Sequence, residues 1–319
     1  MTEVKNIINW IGDAKTVGIS GHVRPDGDCI GSCLALYTYL KKECPDKKVD
    51  VYLEEPLKKF AFLKYSEEVN NDYPDDRQYD VFIALDCGDA ERLGKAEKYF
   101  NQAVNTICID HHISNEKFAG KNLIEANASS TCEVLYTILD EEKIDKAVAE
   151  ALYVGIIHDS GVFKYTCTSG RTMEIAGKLI EKGVPFQQII DETFYQKTYM
   201  QNQILGRCLL ECIMVLDGRC IVSAVSQKTL EFYGASSKDL DGVIEQLRIT
   251  KGVEVAILLY EIATQEYKVS MRANGDVDVS KIAIYFGGGG HKKAAGCTLN
   301  GSYYDVINNL TKLIEEQLH

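Results

Sequence analysis

Short apolar runs alternate with longer amphipathic stretches through the first half of this chain. The apolar runs predict β-strands at residues 17–21, 48–53, 79–86 and 105–110. The stretches at 29–42 and 147–157 carry apolar residues at helical spacing and predict helices. Strands that alternate with helices in this way are typical of a parallel sheet covered by helices. We therefore predict an α/β fold with a parallel-sheet N-terminal domain.

The pattern changes after about residue 170. Residues 171–210 predict helices without strands, and the chain after them predicts a hairpin at Asp217-Gly218, further strands, and two more helices. A chain of 319 residues is also too long for one small core. The sequence therefore predicts a first domain at 1–185, a helical linker at 186–210 and a smaller α/β domain at 211–319.

The formal charge of the chain is −12, from 47 acidic and 35 basic residues. Proteins that bind long nucleic acid through counterion release need a broadly basic surface. The composition therefore argues against long nucleic acid as a partner. If the substrate is a phosphate compound, a local site must bind it.

Cysteine usage and hydropathy indicate the cellular compartment in which the protein is expected. The eleven cysteines contain no CxxC spacing, and several lie in apolar runs, as small buried hydrophobes of reduced proteins do. The N-terminal segment has no continuous apolar region, and no window resembles a membrane span. We therefore expect a cytoplasmic protein without a membrane-spanning segment.

The segment GHVRPDGDCIGS, at residues 21–32, directly follows the first predicted strand. It contains His22, Asp26 and Asp28, and ligands bind at the carboxyl ends of strands in open α/β sheets. An Asp-Gly-Asp turn alone is usually a surface loop. With a histidine four residues earlier and a strand upstream, the segment instead predicts three metal ligands presented from one short loop.

Two further predicted strands also end in carboxylates. Asp86 ends the run FIALD, and Asp110 ends TICID directly before His111 and His112. A single aspartate at a strand end often caps a helix, whereas three successive strand ends with His or Asp predict a site. Asp159, at the end of the second predicted helix, is a further candidate.

These candidates combine carboxylates and imidazoles without a thiolate. Such ligands favour Mn²⁺, Mg²⁺ or Fe²⁺ over structural zinc, and there are more of them than one ion needs. The set therefore predicts two metal ions that polarise a phosphoryl oxygen and activate a bridging water for attack on phosphorus. The implied reaction class is hydrolysis of phosphate esters or anhydrides.

A glycine-rich segment, FGGGGHKKAAGC, lies near the C-terminus at residues 286–297. Glycine runs alone are usually flexible loops, but this one adjoins a histidine and two lysines, which suits phosphate or ribose. An arginine in the strand-like run VSMRANGD could also bind phosphate with its guanidinium. The candidate substrate contacts are Gly288, Gly289, Gly290, His291 and Arg272.

These motifs, in this order, resemble the DHH phosphoesterase family, which is named for the Asp-His-His found here at 110–112. The run GGGGHKKAAG resembles the signature of the first type of DHH-associated C-terminal domain. The resemblance spans nearly the whole chain. It is strongest to the stand-alone nanoRNase/pAp phosphatase group, called NrnA-type.

The resemblance implies a role for each candidate. One Mn²⁺ would be bound by His22, Asp26 and Asp86. The second would be bound by Asp28, Asp86, His111 and Asp159, with Asp86 bridging the two ions. Asp110 would orient a histidine, and His112 would stabilise the attacked phosphate or donate a proton. Arg272 and the 287–291 loop would bind the terminal nucleotide from across an interdomain cleft.

One motif departs from the family pattern. His158-Asp159-Ser160 stands where these enzymes commonly have Thr-Asp-Thr. The departure leaves the aspartate in place but changes its neighbours. His158 is either a satisfied core histidine or an additional ligand or proton shuttle.

The resemblance implies a Mn²⁺-dependent enzyme that degrades short oligoribonucleotides to mononucleotides and dephosphorylates 3′-phosphoadenosine 5′-phosphate (pAp) to AMP. It also suggests a homodimer. A cyclic-di-AMP or pApA phosphodiesterase is the principal alternative. A family II inorganic pyrophosphatase, a RecJ-like exonuclease and a nucleotide sensor with an inactive site are further alternatives.

Overall fold

The protein is represented by a computed structural model that describes residues 6–54 and 58–318. It divides into two units, Met1–Gln196 and Lys197–His319. The division falls within residues 186–210, where the sequence predicts a linker. The exact domain boundaries remain a prediction.

Five parallel strands form the sheet of the first unit. They are β1 (Thr16–Ser20), β2 (Lys48–Tyr52), β3 (Val81–Leu85), β4 (Asn105–Asp110) and β5 (Lys121–Ile124). Their order across the sheet is β2-β1-β3-β4-β5, and every neighbouring pair is parallel. The predicted parallel α/β fold is confirmed. The sequence analysis missed β5, because its four residues include the polar Lys121 and Asn122.

Helices surround this sheet. They are α1 (Ile7–Ile11), α2 (Gly27–Glu43), α3 (Glu97–Gln102), α4 (Thr131–Tyr136), α5 (Lys146–Asp159), α6 (Gly170–Glu181) and α7 (Phe186–Ile190). A π-helical turn at Asp191–Tyr195 follows, and a 3₁₀ segment at Glu91–Ala96 precedes α3. Helix α2 packs against α5 and α4, and it is buried from Gly27 to Leu40.

A buried carboxylate, that of Glu133, connects α4 to α6. The hydroxyl of Ser130 accepts the Glu133 N–H at 3.0 Å and caps α4, as its sequence pattern predicts. The Glu133 carboxylate accepts hydrogen bonds from the Ser129 N–H and hydroxyl, the Thr172 hydroxyl and the Arg171 Nε. These bonds fix the start of α4, which lies next to the candidate site.

The second unit contains a six-stranded mixed sheet. Its strands are β6 (Ile213–Val215), β7 (Cys220–Val225), β8 (Val255–Ala263), β9 (Glu266–Ala273), β10 (Gly289–His291) and β11 (Ala294–Asn300). Their order is β10-β11-β9-β8-β7-β6, and only β7 and β8 pair in parallel. The helices are α8 (Tyr199–Glu211), α9 (Gln227–Tyr233), α10 (Val243–Arg248), α11 (Val279–Tyr285) and α12 (Tyr303–Glu315). The predicted second α/β domain is confirmed.

Among the residues that the structure describes, no helix combines the length and the apolar character needed to cross a bilayer.

We predict that Glu133→Gln lowers the free energy of unfolding by about 2 kcal/mol at pH 7, because it removes charge-assisted hydrogen bonds from a buried site. Burial opposes ionisation of Glu133, but the hydrogen bonds from Ser129, Thr172 and Arg171 outweigh it and lower the pKa of this carboxyl. Its stabilisation is therefore present above the unfolded pKa, about 4.3, and is lost as the pH falls through the lower folded pKa.

Urea unfolding of both proteins at pH 7 and at successively lower pH measures this difference. Glu142→Gln, a change at an exposed carboxylate, is the matched control and should have little effect. A constant difference between wild type and Glu133→Gln at all pH values would contradict the assignment.

Candidate metal centre

The carboxyl ends of three adjacent strands meet at one edge of the first sheet. His22 follows β1, Asp86 follows β3 directly, and Asp110 ends β4 before His111. Because β1, β3 and β4 are neighbours, these side chains lie close together. The remaining candidates come from helices: Asp26 and Asp28 from the start of α2, and Asp159 from the end of α5.

Asp86 lies at the centre of this group and is only 2% exposed. Its Oδ2 is 3.5 Å from His22 Nε2, and its Oδ1 is 3.8 Å from His111 Nε2. The Thr131 hydroxyl donates to Oδ1 at 3.0 Å. The backbone of Asp86 is left-handed, with φ 59°, which is uncommon for aspartate and recurs at functional sites. Each carboxylate oxygen thus faces a different histidine.

Asp28, in the first turn of α2, is completely buried and faces the start of α4. Its two carboxylate oxygens accept the N–H groups of Thr131 at 2.6 Å and Cys132 at 3.0 Å. Burial and the facing carboxylates of Asp86 and Asp159 nevertheless raise the pKa of Asp28 well above its ordinary value. A nearby positive charge would relieve this crowding of carboxylates.

His22 and Asp26 form one side of the group. Asp26 caps α2 by accepting the N–H groups of Asp28 and Cys29, both at 3.1 Å. The Nε2 of His22 lies 3.6 Å from Asp26 Oδ2. Burial opposes the charged forms, but hydrogen bonding raises the pKa of His22 to about 11 and lowers that of Asp26 to about 2.

His111 and Asp159 form the other side. The His111 Nε2 is 3.0 Å from Asp159 Oδ2 and 3.9 Å from Asp28 Oδ2. Burial opposes protonation of His111, but the hydrogen bond to Asp159 and the charge of Asp28 raise its pKa to about 10. Burial raises the pKa of Asp159. The imidazole therefore compensates two carboxylates at once.

Asp110 and His112 form a separate pair beside this group. The buried Asp110 accepts from His112 Nδ1 at 2.7 Å and from Asn115 Nδ2 at 2.8 Å. The hydrogen bond to Asp110 raises the pKa of His112. Because Nδ1 is engaged, Nε2 is the ring nitrogen that can reach a ligand. Asn115 was missed by the sequence analysis, since nothing in its spacing marks it.

The donor set fits divalent cations. The Nδ1 atoms of His22 and His111 donate to the carbonyls of Val23, at 2.9 Å, and Ala128, at 3.3 Å, and so leave both Nε2 atoms for a ligand. Metal-binding histidines commonly have this arrangement. Three groups with ligand atoms within 4.8 Å of one another occur among the described residues: His22/Cys29/Asp86, Asp86/His111/His112 and Asp28/His111/Asp159.

The first of these groups contains Cys29, which the sequence analysis interpreted as a small buried hydrophobe. A ligand atom of Cys29 lies within 4.8 Å of those of His22 and Asp86, so a thiol adjoins the predicted carboxylate and imidazole donors. Cys29 is completely buried, and burial raises the pKa of its thiol well above the ordinary value. The other donors remain those expected of a hard divalent cation.

His158 lies outside these groups, in an aromatic environment. Its Nε2 donates to the Thr193 hydroxyl at 3.0 Å, and its ring contacts Phe60 and Phe194. Burial and the nearby Lys59 lower the pKa of His158 to about 4. These contacts match the structural interpretation of this histidine.

Arg272 lies on β9 of the second unit. Its Nε donates to Glu245 at 2.9 Å and its Nη1 to the Met271 carbonyl at 3.1 Å. A phosphate bound by Arg272 must therefore share the guanidinium with Glu245.

The predicted glycine loop is partly a strand, because 289–291 form β10. The Gly288 N–H donates to the Ala283 carbonyl at 2.8 Å and is not available to a ligand. Gly290 has φ 141°, and a Cβ there would lie 2.5 Å from the Ala294 carbonyl oxygen. Gly289 has open space around it, and His291 is exposed. A Cβ at Gly288 would lie 2.2 Å from the Gly296 carbonyl oxygen, so Gly288 and Gly290 both have structural reasons to be glycine.

Comparison with known proteins agrees with this architecture. Residues 16–156 match the DHH family, N-terminal domain, and residues 217–319 match the DHHA1 domain. The chain is 27% identical to the bifunctional oligoribonuclease and PAP phosphatase NrnA of Thermus thermophilus, over 94% of this chain and 89% of that protein. It is 23% identical to the Bacillus subtilis protein of the same name, over 92% of each.

Among solved structures, an exopolyphosphatase-related protein from Bacteroides fragilis has the same fold. The TM-score is 0.84 at 24% identity, over 97% of this chain and 94% of that one. The likeness extends over both units of the chain.

We predict that Asp86→Ala weakens Mn²⁺ binding at least about hundredfold, because Asp86 faces donors on both sides of the group. Electron paramagnetic resonance of free Mn²⁺ during a titration measures the affinity. The exposed Asp89→Ala is the matched control. Unchanged Mn²⁺ affinity in folded Asp86→Ala would contradict the central position of this carboxylate.

We predict that Gly290→Ala lowers the thermal stability, because the added Cβ strains the backbone and meets the β11 carbonyl. Gly289→Ala should leave stability unchanged within about 0.5 kcal/mol, since its surroundings are open. Calorimetry compares the two variants. Equal stability of both would refute the structural role assigned to Gly290.

Proposed function

Because this chain belongs to the DHH family and joins a DHH N-terminal domain to a DHHA1 domain, we propose that it is a Mn²⁺-dependent phosphoesterase. Its proposed substrates are short oligoribonucleotides, which it degrades to mononucleotides, and pAp, which it converts to AMP. The observation that supports this proposal most strongly is the cluster of carboxylates and imidazoles around Asp86. The names of relatives that match over most of both chains support the substrate class.

The donor groups suggest how two ions are held. His22, Asp26 and Asp86 would bind one, and Asp28, Asp86, His111 and Asp159 the other, with Mg²⁺ or Fe²⁺ as alternatives to Mn²⁺. When bound, such ions polarise a phosphoryl oxygen and lower the pKa of a shared water. The protein's own contribution is to hold these side chains in place through the backbone N–H groups of α4 and the carbonyls of Val23 and Ala128.

His112 has a different proposed task. Asp110 fixes its ring through Nδ1 and favours its protonated form, so that Nε2 can donate a proton to a phosphate oxygen or to the leaving group. Asn115 supports the second oxygen of Asp110. The pair thus supplies the proton that departure of an alcohol requires.

The C-terminal candidates belong to substrate binding. Arg272, His291 and the open backbone around Gly289 are the proposed contacts for the terminal nucleotide or phosphate. Gly288 and Gly290 would contribute by shaping β10. A small set of local contacts is consistent with short substrates for a chain of charge −12.

We also propose that the protein is cytoplasmic and forms a homodimer. All eleven cysteines are free, which suits the cytoplasm. A homodimer is proposed from the family resemblance, and analytical ultracentrifugation tests it.

The test of the function is direct. Purified protein with Mn²⁺ is incubated separately with pAp, a ribodinucleotide, cyclic-di-AMP, pyrophosphate and a long RNA. Turnover of the first two supports the proposal. The cyclic-di-AMP alternative is not favoured, since the relatives are named for oligoribonuclease and PAP phosphatase activities; turnover of that substrate or of pyrophosphate alone would overturn the proposal.

We predict that His112→Ala lowers kcat for pAp by about 10²- to 10⁴-fold, because it removes the proton donor. Mn²⁺ affinity should remain within about threefold of wild type, a small change in binding free energy. Asp110→Asn keeps the His112 ring but removes the carboxylate charge beside it, so its kcat for pAp should fall by a smaller factor. Parallel kinetics and Mn²⁺ titration measure both, and wild-type kcat in His112→Ala would refute the role.

A further inference from the structure

A groove lies beside His22, where β1 and β2 end. It is a cavity of about 260 Å³ whose lining includes His22, Leu53, Asn71, Tyr73, Leu93 and Lys95, and we call it the β2-side groove. A neighbouring cavity of about 350 Å³ shares Asn71, Tyr73 and Lys95 with it. His22 therefore borders both the groove and the candidate metal centre.

The 3₁₀ segment Glu91–Ala96 forms one wall of the groove. The Val23 N–H donates to the Arg92 carbonyl at 2.8 Å, which attaches this segment to the loop after His22. Gly94 has φ 54°, and a Cβ there would lie 2.4 Å from Val23 Cγ1. Glycine at 94 therefore allows the close packing that brings Leu93 and Lys95 beside His22.

Lys95 is exposed and has no carboxylate partner among the residues that the structure describes. Its closest aromatic contact is the Tyr73 ring, 5.8 Å from Nζ to the ring centroid. The nearby Lys98, by contrast, donates to Asp75 at 2.5 Å and to the Tyr73 carbonyl. An unpaired cation next to the metal centre is notable in a chain of charge −12, and it favours an anionic ligand.

The other groove residues combine apolar and polar contacts. Tyr73 packs against Tyr52 with ring centroids 5.7 Å apart, and its hydroxyl has no hydrogen-bond partner in the described part of the chain. Burial and the Glu54 carboxylate raise the pKa of Tyr73 to about 12, so the hydroxyl remains a donor at neutral pH. Glu54 accepts the Arg24 N–H at 2.7 Å. Leu53 and Leu93 supply apolar walls.

We propose that the β2-side groove binds the nucleoside and the non-scissile phosphate of pAp, with Lys95 as the counter-charge to that phosphate. The attacked terminal phosphate is then the group left for Arg272, His291 and Gly289. This inference rests on the proposed function and adds a specificity-determining site within the first unit.

The lining combines the apolar Leu53 and Leu93 with the cationic Lys95 and the carboxylate of Glu54. Apolar walls suit a base, the carboxylate can accept from a sugar hydroxyl, and the lysine suits a phosphate. The groove thereby favours substrates with a second phosphate over simple phosphate esters.

The test is Lys95→Gln, which removes the charge at an exposed position and leaves a polar side chain that is only one atom shorter. We expect KM for pAp to rise about tenfold, the cost of one charge-assisted contact, with kcat within about twofold of wild type. Hydrolysis of bis-p-nitrophenyl phosphate, which has no second phosphate, should be unchanged. Tyr73→Phe should raise KM for pAp by a smaller factor.

Lys121→Gln is the matched control, because Lys121 is an exposed lysine at the opposite edge of the same sheet. Unchanged KM for pAp in Lys95→Gln, or an equal loss with bis-p-nitrophenyl phosphate, would overturn the inference. If the wild type hydrolyses neither compound, the proposed function fails. Calorimetric titration of pAp into wild type and Lys95→Gln then still tests whether the groove binds pAp. Equal affinities of the two proteins would refute the role of Lys95.

Discussion

The buried carboxylates of Asp28 and Asp86 govern how the first unit is built around one edge of its sheet. Two acidic groups that are at most 2% exposed, with Asp159 and Asp110 nearby, repel one another and are costly to remove from water. The surrounding chain compensates this cost by several means. The first N–H groups of α4 bind Asp28, the Thr131 hydroxyl and two histidines face Asp86, and His111 contacts Asp159. Full compensation requires cations, which is why we interpret the group as a metal centre.

The sheet and its helices make this concentration of charge feasible. Strands β1, β3 and β4 are adjacent and parallel, so that three consecutive polar strand ends meet at one edge. The position at which α4 begins determines whether its N–H groups can reach Asp28. Its start is fixed by Ser130 and by the buried Glu133, whose bonds to Ser129 and α6 lie outside the metal centre. Stability of this corner and function of the centre are therefore coupled through a helix of only six residues.

Sequence patterns predicted much of this arrangement. Four of the five parallel strands are visible as apolar runs. Asp or His residues at the ends of three of them indicated a common edge. Other features depend on contacts that no local pattern encodes. Cys29 resembles any small buried residue, Asn115 and Thr131 act through single hydrogen bonds, and Lys95 reaches the vicinity of His22 only because Gly94 packs against Val23. The glycine run 287–290 suggested ligand contacts, whereas the structure gives Gly288 and Gly290 roles in strand packing.

We propose that Asp86 joins two cations at the carboxyl edge of the first sheet. The most direct measurement is anomalous diffraction at the manganese edge from crystals of the full chain grown with Mn²⁺ and pAp. Our account predicts two anomalous peaks about 3.5–4 Å apart, with one Asp86 oxygen or both in contact with each ion. A single peak, or two peaks that do not share Asp86, would contradict it.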